Sequence, residues 1–187
     1  MFIQTEATPN PASLKFIPDG HKVAGEKVVE YKNKNQAIGN SLLAEQLFAI
    51  DGVESVFLGS DFITINKSID KNWNEIKTEI LATIMDFFVS KKPVLNEKNS
   101  AEVDNSEDDE IVKQIKELIE VKVRPAVAMD GGDIIYRGFE NGIVFLQLKG
   151  SCSGCPSSIV TLKNGIENML KHYVPEVLSV ESVSDDY

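Results

Sequence analysis

The chain has 187 residues, with 19 Lys and Arg against 29 Asp and Glu, and therefore a formal net charge of −10. Its length fits one medium domain or two small ones, and 42% hydrophobic with 26% charged residues is typical of globular proteins. No apolar run approaches the roughly 20 residues that a membrane span needs, so we expect no membrane insertion. The negative charge repels phosphate backbones and disfavours unaided nucleic-acid binding.

The beginning of the sequence shows no targeting signal. Residues Met1–Glu6 contain neither a basic region nor an apolar one, and they lack the Arg-rich, acid-poor pattern of a transit peptide. Two cysteines are too few for the disulfide framework of a small secreted protein. We therefore expect a reducing compartment, namely the cytoplasm of a bacterium, or an organellar matrix if the source is eukaryotic.

Most of the excess negative charge lies in one short segment. Residues 96–110 carry seven acidic side chains and one Lys, whereas residues 1–95 and 111–187 each have a net charge of −2. With two aliphatic side chains and no aromatic one, the segment cannot bury enough apolar surface to offset the entropy of ordering. It predicts a flexible acidic linker, with an acidic recognition tail as the alternative, between an N-terminal domain (1–95) and a C-terminal domain (111–187).

The N-terminal domain is predicted to mix strands and helices. Short β-branched or aromatic runs predict strands, and apolar residues at helical spacing predict helices. The predicted strands are Phe2–Ile3, Leu14–Ile17, Val28–Tyr31, Val53–Leu58 and Phe62–Ile65. The predicted helices are Gln36–Ile50, which Asp51 and Gly52 end, and a closing helix from Trp73 to Phe88. His21 lies between the second and third predicted strands, follows a glycine and is expected to be a solvated loop histidine.

The C-terminal domain is predicted to have the order α-β-β-α-β, with a three-stranded sheet and two helices on one face. A helix begins at Ile111 and is expected to end before Pro125. The consecutive glycines of Met129–Asp133 predict a turn, and Asn141-Gly142 is a strong hairpin signal. The remaining predicted elements are strands Ile134–Phe139 and Ile143–Lys149, a helix from Pro156 to about Tyr173, and a strand Val177–Val183.

Both cysteines of the chain, Cys152 and Cys155, lie where a predicted strand meets a predicted helix. The positive end of a helix favours negative charge and lowers the pKa of nearby thiols toward the reactive thiolate. The surrounding glycines and serines are small, so we expect both sulfur atoms to be approachable. The alternative without function, two small apolar residues closing a core, is disfavoured by a loop so rich in Gly and Ser.

Three chemistries are considered for the pair. A thioredoxin-like oxidoreductase is disfavoured because only 32 residues follow Cys155, enough for one helix and one strand. A zinc site within one chain needs four ligands, but His172 lies about 25 Å along the same helix and His21 belongs to the other domain. An iron–sulfur cluster also requires four thiolates, which two protomers about a two-fold axis supply if each contributes Cys152 and Cys155. Such a cluster would be labile and suited to delivery, although zinc shared in the same way stays possible.

Two parts of the sequence resemble a known family. The segment Met129–Asp133, followed by a hairpin and by Gly150–Ser158, resembles the C-terminal domain of the NifU-like (Nfu) iron–sulfur proteins. Residues Phe2–Pro11 and Leu14–Phe16 resemble the N-terminal domain of Nfu proteins. The resemblance implies a scaffold or carrier, not an enzyme, that binds a [4Fe–4S] cluster between two protomers and transfers it to apo-proteins.

The same resemblance implies roles for individual residues and partners. It assigns the cluster ligands to Cys152 and Cys155, and Asp130–Asp133 would shape the neighbouring turn, with ligation by Asp133 as a second option. Recipients would be apo iron–sulfur proteins such as lipoyl synthase and respiratory complexes, and an upstream assembly scaffold would be the donor. We expect a homodimer with cluster and a monomer without it. The alternatives kept open are a Cys-x-x-Cys dithiol/disulfide oxidoreductase and a zinc-bridged interaction module.

Overall fold

The acidic segment separates two groups of elements, and the chain divides into Met1–Ala101 (unit 1) and Glu102–Tyr187 (unit 2). The computed structural model describes residues 2–96, 109–152 and 156–183, without the side chains of 156–159. Each unit has its own β-sheet and its own helices, which confirms the predicted α+β class with two domains. The limits and the flexibility of the linker stay predictions, since residues 97–108 lie outside the described residues.

Unit 1 is built on an antiparallel sheet of five strands in the order β1-β2-β5-β4-β3. The strands are β1 Ile3–Ala7, β2 Ser13–Pro18, β3 Val29–Tyr31, β4 Val53–Leu58 and β5 Ile63–Lys67. Each overlaps a predicted strand, because β-branched and aromatic residues suit a half-buried pleated surface. The two prolines at positions 9 and 11 lie in the turn between β1 and β2, where no ladder hydrogen bond is required.

The predicted helix Gln36–Ile50 is wrong as a single element. The chain forms α1, Lys34–Ala37, and α2, Leu42–Leu47, separated by a turn in which Gly39 has a φ of +76°. Ser41 then begins the second helix, since its hydroxyl accepts the Ala44 N–H at 3.2 Å. Apolar spacing continues across both helices, whereas Gly39 and the capping Ser41 are the local signals of the break.

The helices of unit 1 cover one face of its sheet. The long helix α3, Trp73–Val89, confirms the predicted closing helix and packs beside α2. In the sheet, Phe16 pairs with Ile63 and Val56 pairs with Ile65, so these side chains point to the same side. The largest buried side chains of this core are Phe16, Val56, Leu58, Ile63 and Ile65 from strands and Leu43, Leu47, Ile80 and Ile84 from helices.

Unit 2 contains a three-stranded sheet in the order β6-β7-β8. Its elements are α4 Glu110–Leu118, a π-helical turn Ile119–Val123, α5 Arg124–Met129, β6 Gly132–Glu140, β7 Ile143–Gly150, α6 Pro156–Tyr173 and β8 Ser179–Ser182. Strands β6 and β7 form an antiparallel hairpin, whereas β7 and β8 are parallel and are connected by α6. Residues of both helical segments and of one sheet face share a single core, which confirms two helices on one face.

The sequence predicted that the first helical segment of unit 2 ends before Pro125, and this prediction is wrong. It passes through the π-helical turn, where the Arg124 N–H bonds the Ile119 carbonyl five residues earlier, and continues with Pro125 in the first turn of α5. A wider turn relieves the clash between a proline ring and the carbonyl four residues before it. The missing N–H is also tolerated at a helix start, so the proline marks a change of helix type.

The predicted turn at Met129–Asp133 is shorter in the structure. Asp130 and Gly131 form the turn, with Gly131 at a φ of +79°, and β6 already begins at Gly132. The hairpin prediction is confirmed, because Asn141 and Gly142 both have positive φ, as a two-residue type I′ turn requires. Among the described residues, no helix has the length and apolar character to cross a membrane.

A partly buried ion pair ties the π-helical turn of unit 2 to its sheet. Arg124 donates from Nε to Asp133 Oδ1 at 2.8 Å and from a second nitrogen to Oδ2 at 3.2 Å. It also bonds both carboxylate oxygens of Glu120, at 3.0 and 2.9 Å. The hydrogen bonds to Asp133 are the main reason that the pKa of Arg124 is raised, so the guanidinium stays charged. The Asp133 side chain is 5% exposed and therefore depends on this partner.

The core of unit 1 can be tested with two isoleucines. Ile80 is 0% exposed and Ile69 is 97% exposed. We expect Ile80→Ala to lower the free energy of unfolding by about 2–5 kcal/mol through loss of burial and a residual cavity. Urea unfolding followed by the fluorescence of Trp73 reports on unit 1, since this is the single Trp of the chain. The control Ile69→Ala should change stability by less than about 0.5 kcal/mol, and an equal loss in both variants would contradict the described core.

The ion pair of unit 2 allows a second test. Arg124→Met keeps an aliphatic stem but leaves the Asp133 carboxylate buried without its bidentate partner, so we expect unit 2 to lose about 2–3 kcal/mol. Amide hydrogen exchange of β6 and β7, measured by NMR, isolates this unit. The matched control is Lys171→Met, which breaks the exposed 2.6 Å pair with Glu167 and should cost about 0.5 kcal/mol or less. Equal effects of the two variants would show that Asp133 does not need Arg124.

Candidate metal centre

The predicted ligands lie at the connection between β7 and α6. Cys152 follows the last residue of β7 by two positions, and Cys155 immediately precedes Pro156, the first residue of α6. The strand-to-helix placement of this loop is as the sequence predicted. Cys155 itself lies outside the described residues, so the structure gives the geometry of one of the two predicted ligands.

Cys152 is less accessible than the sequence suggested. The residue is 4% exposed and packs among the apolar core residues of unit 2. The prediction that its sulfur is approachable is therefore wrong for this structure, and the core packing of the alternative without function is observed for Cys152. Small neighbours in the sequence are compatible with a buried thiol as well as with an exposed one.

A glycine contact brings the start of β6 against this cysteine. Gly132 pairs with Gly150 at the end of the β6–β7 ladder. A Cβ atom added to Gly132 would lie 2.6 Å from the Lys149 carbonyl oxygen and 2.9 Å from the Cys152 Sγ. Any larger residue would displace either the backbone or the sulfur, so this position requires glycine.

Ser151 links the cysteine loop to the turn between α5 and β6. Its N–H bonds the Gly131 carbonyl at 3.2 Å, and its hydroxyl donates to the Asp130 carbonyl. Its Oγ also lies 3.8 Å from the Cys152 Sγ. The sequence treated Ser151 only as a small neighbour and missed this role, since nothing in its local spacing indicates a partner 21 residues earlier.

The second option for a ligand, Asp133, is already engaged. Both of its carboxylate oxygens accept hydrogen bonds from Arg124. Coordination of a metal by Asp133 would have to break this bidentate pair, which the structure does not favour. Arg124 was not singled out in the sequence; its spacing of four from Glu120 is a local signal of a helix-surface pair and does not indicate the contact with Asp133.

Among the residues that the structure describes, no complete set of metal ligands surrounds Cys152. Within residues 2–96, 109–152 and 156–183, no group of three or more His, Cys, Asp or Glu side chains comes together. His172 lies in the last turn of α6, about 24 Å along the helix from Pro156 at 1.5 Å per residue. His21 is exposed in unit 1, as predicted, with Nδ1 2.8 Å from the Asp19 carbonyl oxygen. Thiolates are soft ligands that suit iron–sulfur clusters or zinc, and the chain has two cysteines where a site of four thiolates needs four.

Two family models match the chain. Residues 3–91 match the N-terminal domain of Nfu/NifU scaffold proteins, and residues 115–181 match the NifU-like domain. The two matches fall in units 1 and 2 respectively. The second match includes the loop with both cysteines.

Relatives with curated names agree with these matches. A protein of Homo sapiens named "NFU1 iron-sulfur cluster scaffold homolog, mitochondrial" is 55% identical over the whole chain, which covers 73% of that protein. A protein of the same name from Drosophila virilis is 54% identical, and the chain covers 63% of it. A solution NMR structure of a NifU-like protein from Saccharomyces cerevisiae shows 34% identity, with a TM-score of 0.48 over 52% of this chain and 87% of that one. The family is one of scaffold proteins and not of enzymes, and the chain belongs to the Nfu/NifU family of iron–sulfur cluster scaffold proteins.

Proposed function

We propose that this chain binds a [4Fe–4S] cluster between two protomers and transfers it to apo iron–sulfur proteins. Cys152 and Cys155 of each protomer would be the ligands, and an upstream assembly scaffold would supply the cluster. The observation that carries the proposal is the shortage of ligands: the chain has two cysteines, and no group of three ligands exists among the described residues.

The number of ligands favours sharing of the cluster. A [4Fe–4S] cluster is normally held by four thiolates, and one chain contributes at most two. A two-fold axis through the site presents the same pair twice and completes the set. Because each protomer would hold the cluster through one short loop, the assembly would release it more readily than a cage built within one chain.

The position of the loop supports thiolate ligation. The helix α6 has 18 residues and begins directly after Cys155 in the sequence. Unsatisfied N–H groups and the helix dipole favour negative charge at such an end. Thiolates, and the negatively charged cluster that they would bind, gain from this field.

Two apolar side chains near the loop are exposed to solvent. Met129 ends α5 beside Asp130, and Val160 lies in the second turn of α6; both are exposed. Apolar side chains exposed at a protein surface are often buried when partners bind. The first surface to be tested for contact between protomers is therefore the one that contains Met129 and Val160.

We also propose a compartment that keeps thiols reduced. The named relatives are mitochondrial, which supports the organellar matrix over the bacterial cytoplasm that the sequence suggested first. Thiols of the loop would remain available as ligands in either compartment. Unit 1 matches a scaffold domain, and we propose that it contributes to the docking of donors and recipients.

Anaerobic reconstitution with iron and sulfide tests the ligands. We expect about two irons per chain, since one four-iron cluster serves two chains, together with a charge-transfer absorption band. Cys152→Ala should lose both, whereas the control His172→Ala should keep them because this residue lies far along α6. A Cys152→Ala variant that retained the cluster would overturn the assignment.

The same preparation separates the two alternatives. A zinc-bridged module would contain one zinc per two chains and would not respond to the supply of iron. A dithiol oxidoreductase would be colourless and would turn over disulfides with a measurable reduction potential. Either result would replace the proposed carrier function.

Oligomeric state should follow cluster loading. The chain has a mass of 20.7 kDa. We expect this mass without cluster and about twice this mass with it, because binding of the cluster and association of two chains are coupled. Sedimentation before and after removal of iron by a chelator measures both states. Equal masses in the two states would count against a shared cluster.

A further inference from the structure

A cavity lies in unit 1 beside β3, an edge strand of its sheet. Its volume is about 190 Å³, and its wall combines residues of β3, the loop before β3, the turn between α1 and α2, and the segment after α3. A cavity of roughly 150 Å³ engineered in another protein holds benzene, so this space is large enough for about six to eight non-hydrogen atoms. We call it the Tyr31 cavity, after the tyrosine of β3 that lines it.

The wall of the Tyr31 cavity is held in place by hydrogen bonds to the backbone. Val23 and Ala24 donate from their N–H groups to carbonyls of the turn between β4 and β5, each at 2.9 Å. On the other side, Asn96 donates from its backbone N–H to the Asn40 carbonyl at 2.9 Å and from its side chain to the Gly39 carbonyl at 2.8 Å. The cavity is therefore formed without a ligand, which lowers the entropic cost of binding one.

The lining of the Tyr31 cavity is mostly apolar and carries one charge. The cation is Lys27, and the lining contains no acidic side chain, although the whole chain has a net charge of −10. The apolar part consists of Val23, Ala24, Val29, Val94 and Leu95. A cavity of this composition suits a ligand with a short apolar body and a negatively charged end.

Tyr31 brings an unused hydrogen-bond donor to the cavity. The residue is 4% exposed, and its ring belongs to the core of unit 1. In the part of the chain that the structure describes, no hydrogen bond reaches its hydroxyl, and no fully buried side-chain oxygen or nitrogen lacks a partner. Solvent must therefore reach this hydroxyl, and the cavity that Tyr31 lines provides the access. Burial raises the pKa of Tyr31, so the group stays protonated and able to donate.

Lys27 is free to pair with an anion. Its side chain is exposed at the cavity wall. Within residues 2–96, 109–152 and 156–183, no acidic side chain forms an ion pair with it. An anion that enters the cavity therefore does not have to displace an existing partner of this ammonium group.

We propose that the Tyr31 cavity binds a carboxylate that is carried on a short apolar group. Lys27 pairs with the carboxylate, the Tyr31 hydroxyl donates a hydrogen bond to it, and the apolar wall contacts the hydrocarbon part. Two sources supply this chemistry: a free short-chain carboxylic acid, and the C-terminal residue of another protein when its side chain is apolar. The inference goes beyond the proposed function and does not depend on it, since every residue of the cavity lies in unit 1.

The composition of the wall favours a carboxylate over a phosphate. Phosphate sites in proteins combine several N–H donors, often from a helix N-terminus, with Arg or Lys side chains. The Tyr31 cavity offers one ammonium group and one hydroxyl between apolar walls. A singly charged group with an apolar body uses all of these features, whereas a doubly charged phosphate would lose most of its hydration without replacement.

Titration of the metal-free full-length chain with sodium pentanoate, followed by amide NMR, tests the site. We expect saturable shifts at Ala24, Val29, Tyr31 and Leu95, with a dissociation constant on the order of 1–30 mM for this seven-atom ligand. Pentylamine has the same chain and the opposite charge, and it should give no saturable shift there. Affinity should rise roughly two- to fourfold per CH₂ from propanoate to pentanoate and then level off once the chain outgrows the cavity.

Two variants test the two polar groups. Lys27→Met should weaken pentanoate binding roughly two- to fivefold, whereas the matched control Lys22→Met should not, because Lys22 is exposed in the same loop but does not line the cavity. Tyr31→Phe should weaken binding roughly two- to tenfold. Its midpoint of urea unfolding, followed by Trp73 fluorescence, should stay unchanged, since the hydroxyl has no partner among the described residues.

The source of the carboxylate is read from a peptide arm. The peptide acetyl-Gly-Gly-Val with a free C-terminus is compared with the same peptide ending in an amide. Binding of the acid at least tenfold tighter than pentanoate would assign the site to a chain end, and binding of pentanoate alone would assign it to a free acid.

Three results would overturn the proposal. The first is the absence of saturable shifts at the cavity with both pentanoate and the peptide acid. The second is equal binding of pentylamine or of the peptide amide, because the carboxylate would then not be recognised. The third is affinity that keeps rising up to decanoate with no effect of Lys27→Met or Tyr31→Phe, which would indicate adsorption to an apolar surface elsewhere.

Discussion

The close approach of Gly132 to the end of β7 is the constraint on which the site depends. With no side chain at this position, the Lys149 carbonyl and the Cys152 sulfur come within 3 Å of where a Cβ would be. The hairpin can therefore close with the Gly132–Gly150 pair at its end, and Ser151, the next residue, lies against the turn before β6. The hydrogen bonds of Ser151 then hold two segments that are 20 residues apart in sequence as one structural element.

Contacts from the helical segment of unit 2 also hold the start of β6. The π-helical turn precedes Arg124, which reaches Asp133 in β6, one residue after the glycine that contacts the cysteine. The partly buried ion pair and the glycine contact therefore lie next to each other at the start of β6. The start of β6 is therefore held both from the helical segment, through Arg124, and from the end of β7, through the close contact of Gly132.

The sequence predicted the elements whose signals are local. Asn141-Gly142, the alternation in the strands and the spacing of apolar residues in α3 and α6 each depend on near neighbours, and each appears in the structure. The errors arose where two local signals disagree, so that the prediction followed the proline or the apolar spacing and missed the other signal. Pro125 enters a helix because a π-helical turn makes room for it, and the helix predicted over Gln36–Ile50 breaks where Gly39 turns.

The same distinction applies to the site. The pair of cysteines at a strand-to-helix junction is visible in the sequence, and so is the difference between these two thiols and the four thiolates that an iron–sulfur cluster normally takes. The burial of Cys152 and the roles of Ser151 and Arg124 depend on contacts between residues far apart in the chain, which local patterns do not contain.

The central claim is that each chain provides half of a coordination sphere. Native mass spectrometry of anaerobically loaded protein measures chains and metal content in the same particle. We predict a species of two chains with four irons and four sulfides, and cluster-free single chains. A single chain that carries a complete four-iron cluster would contradict the account.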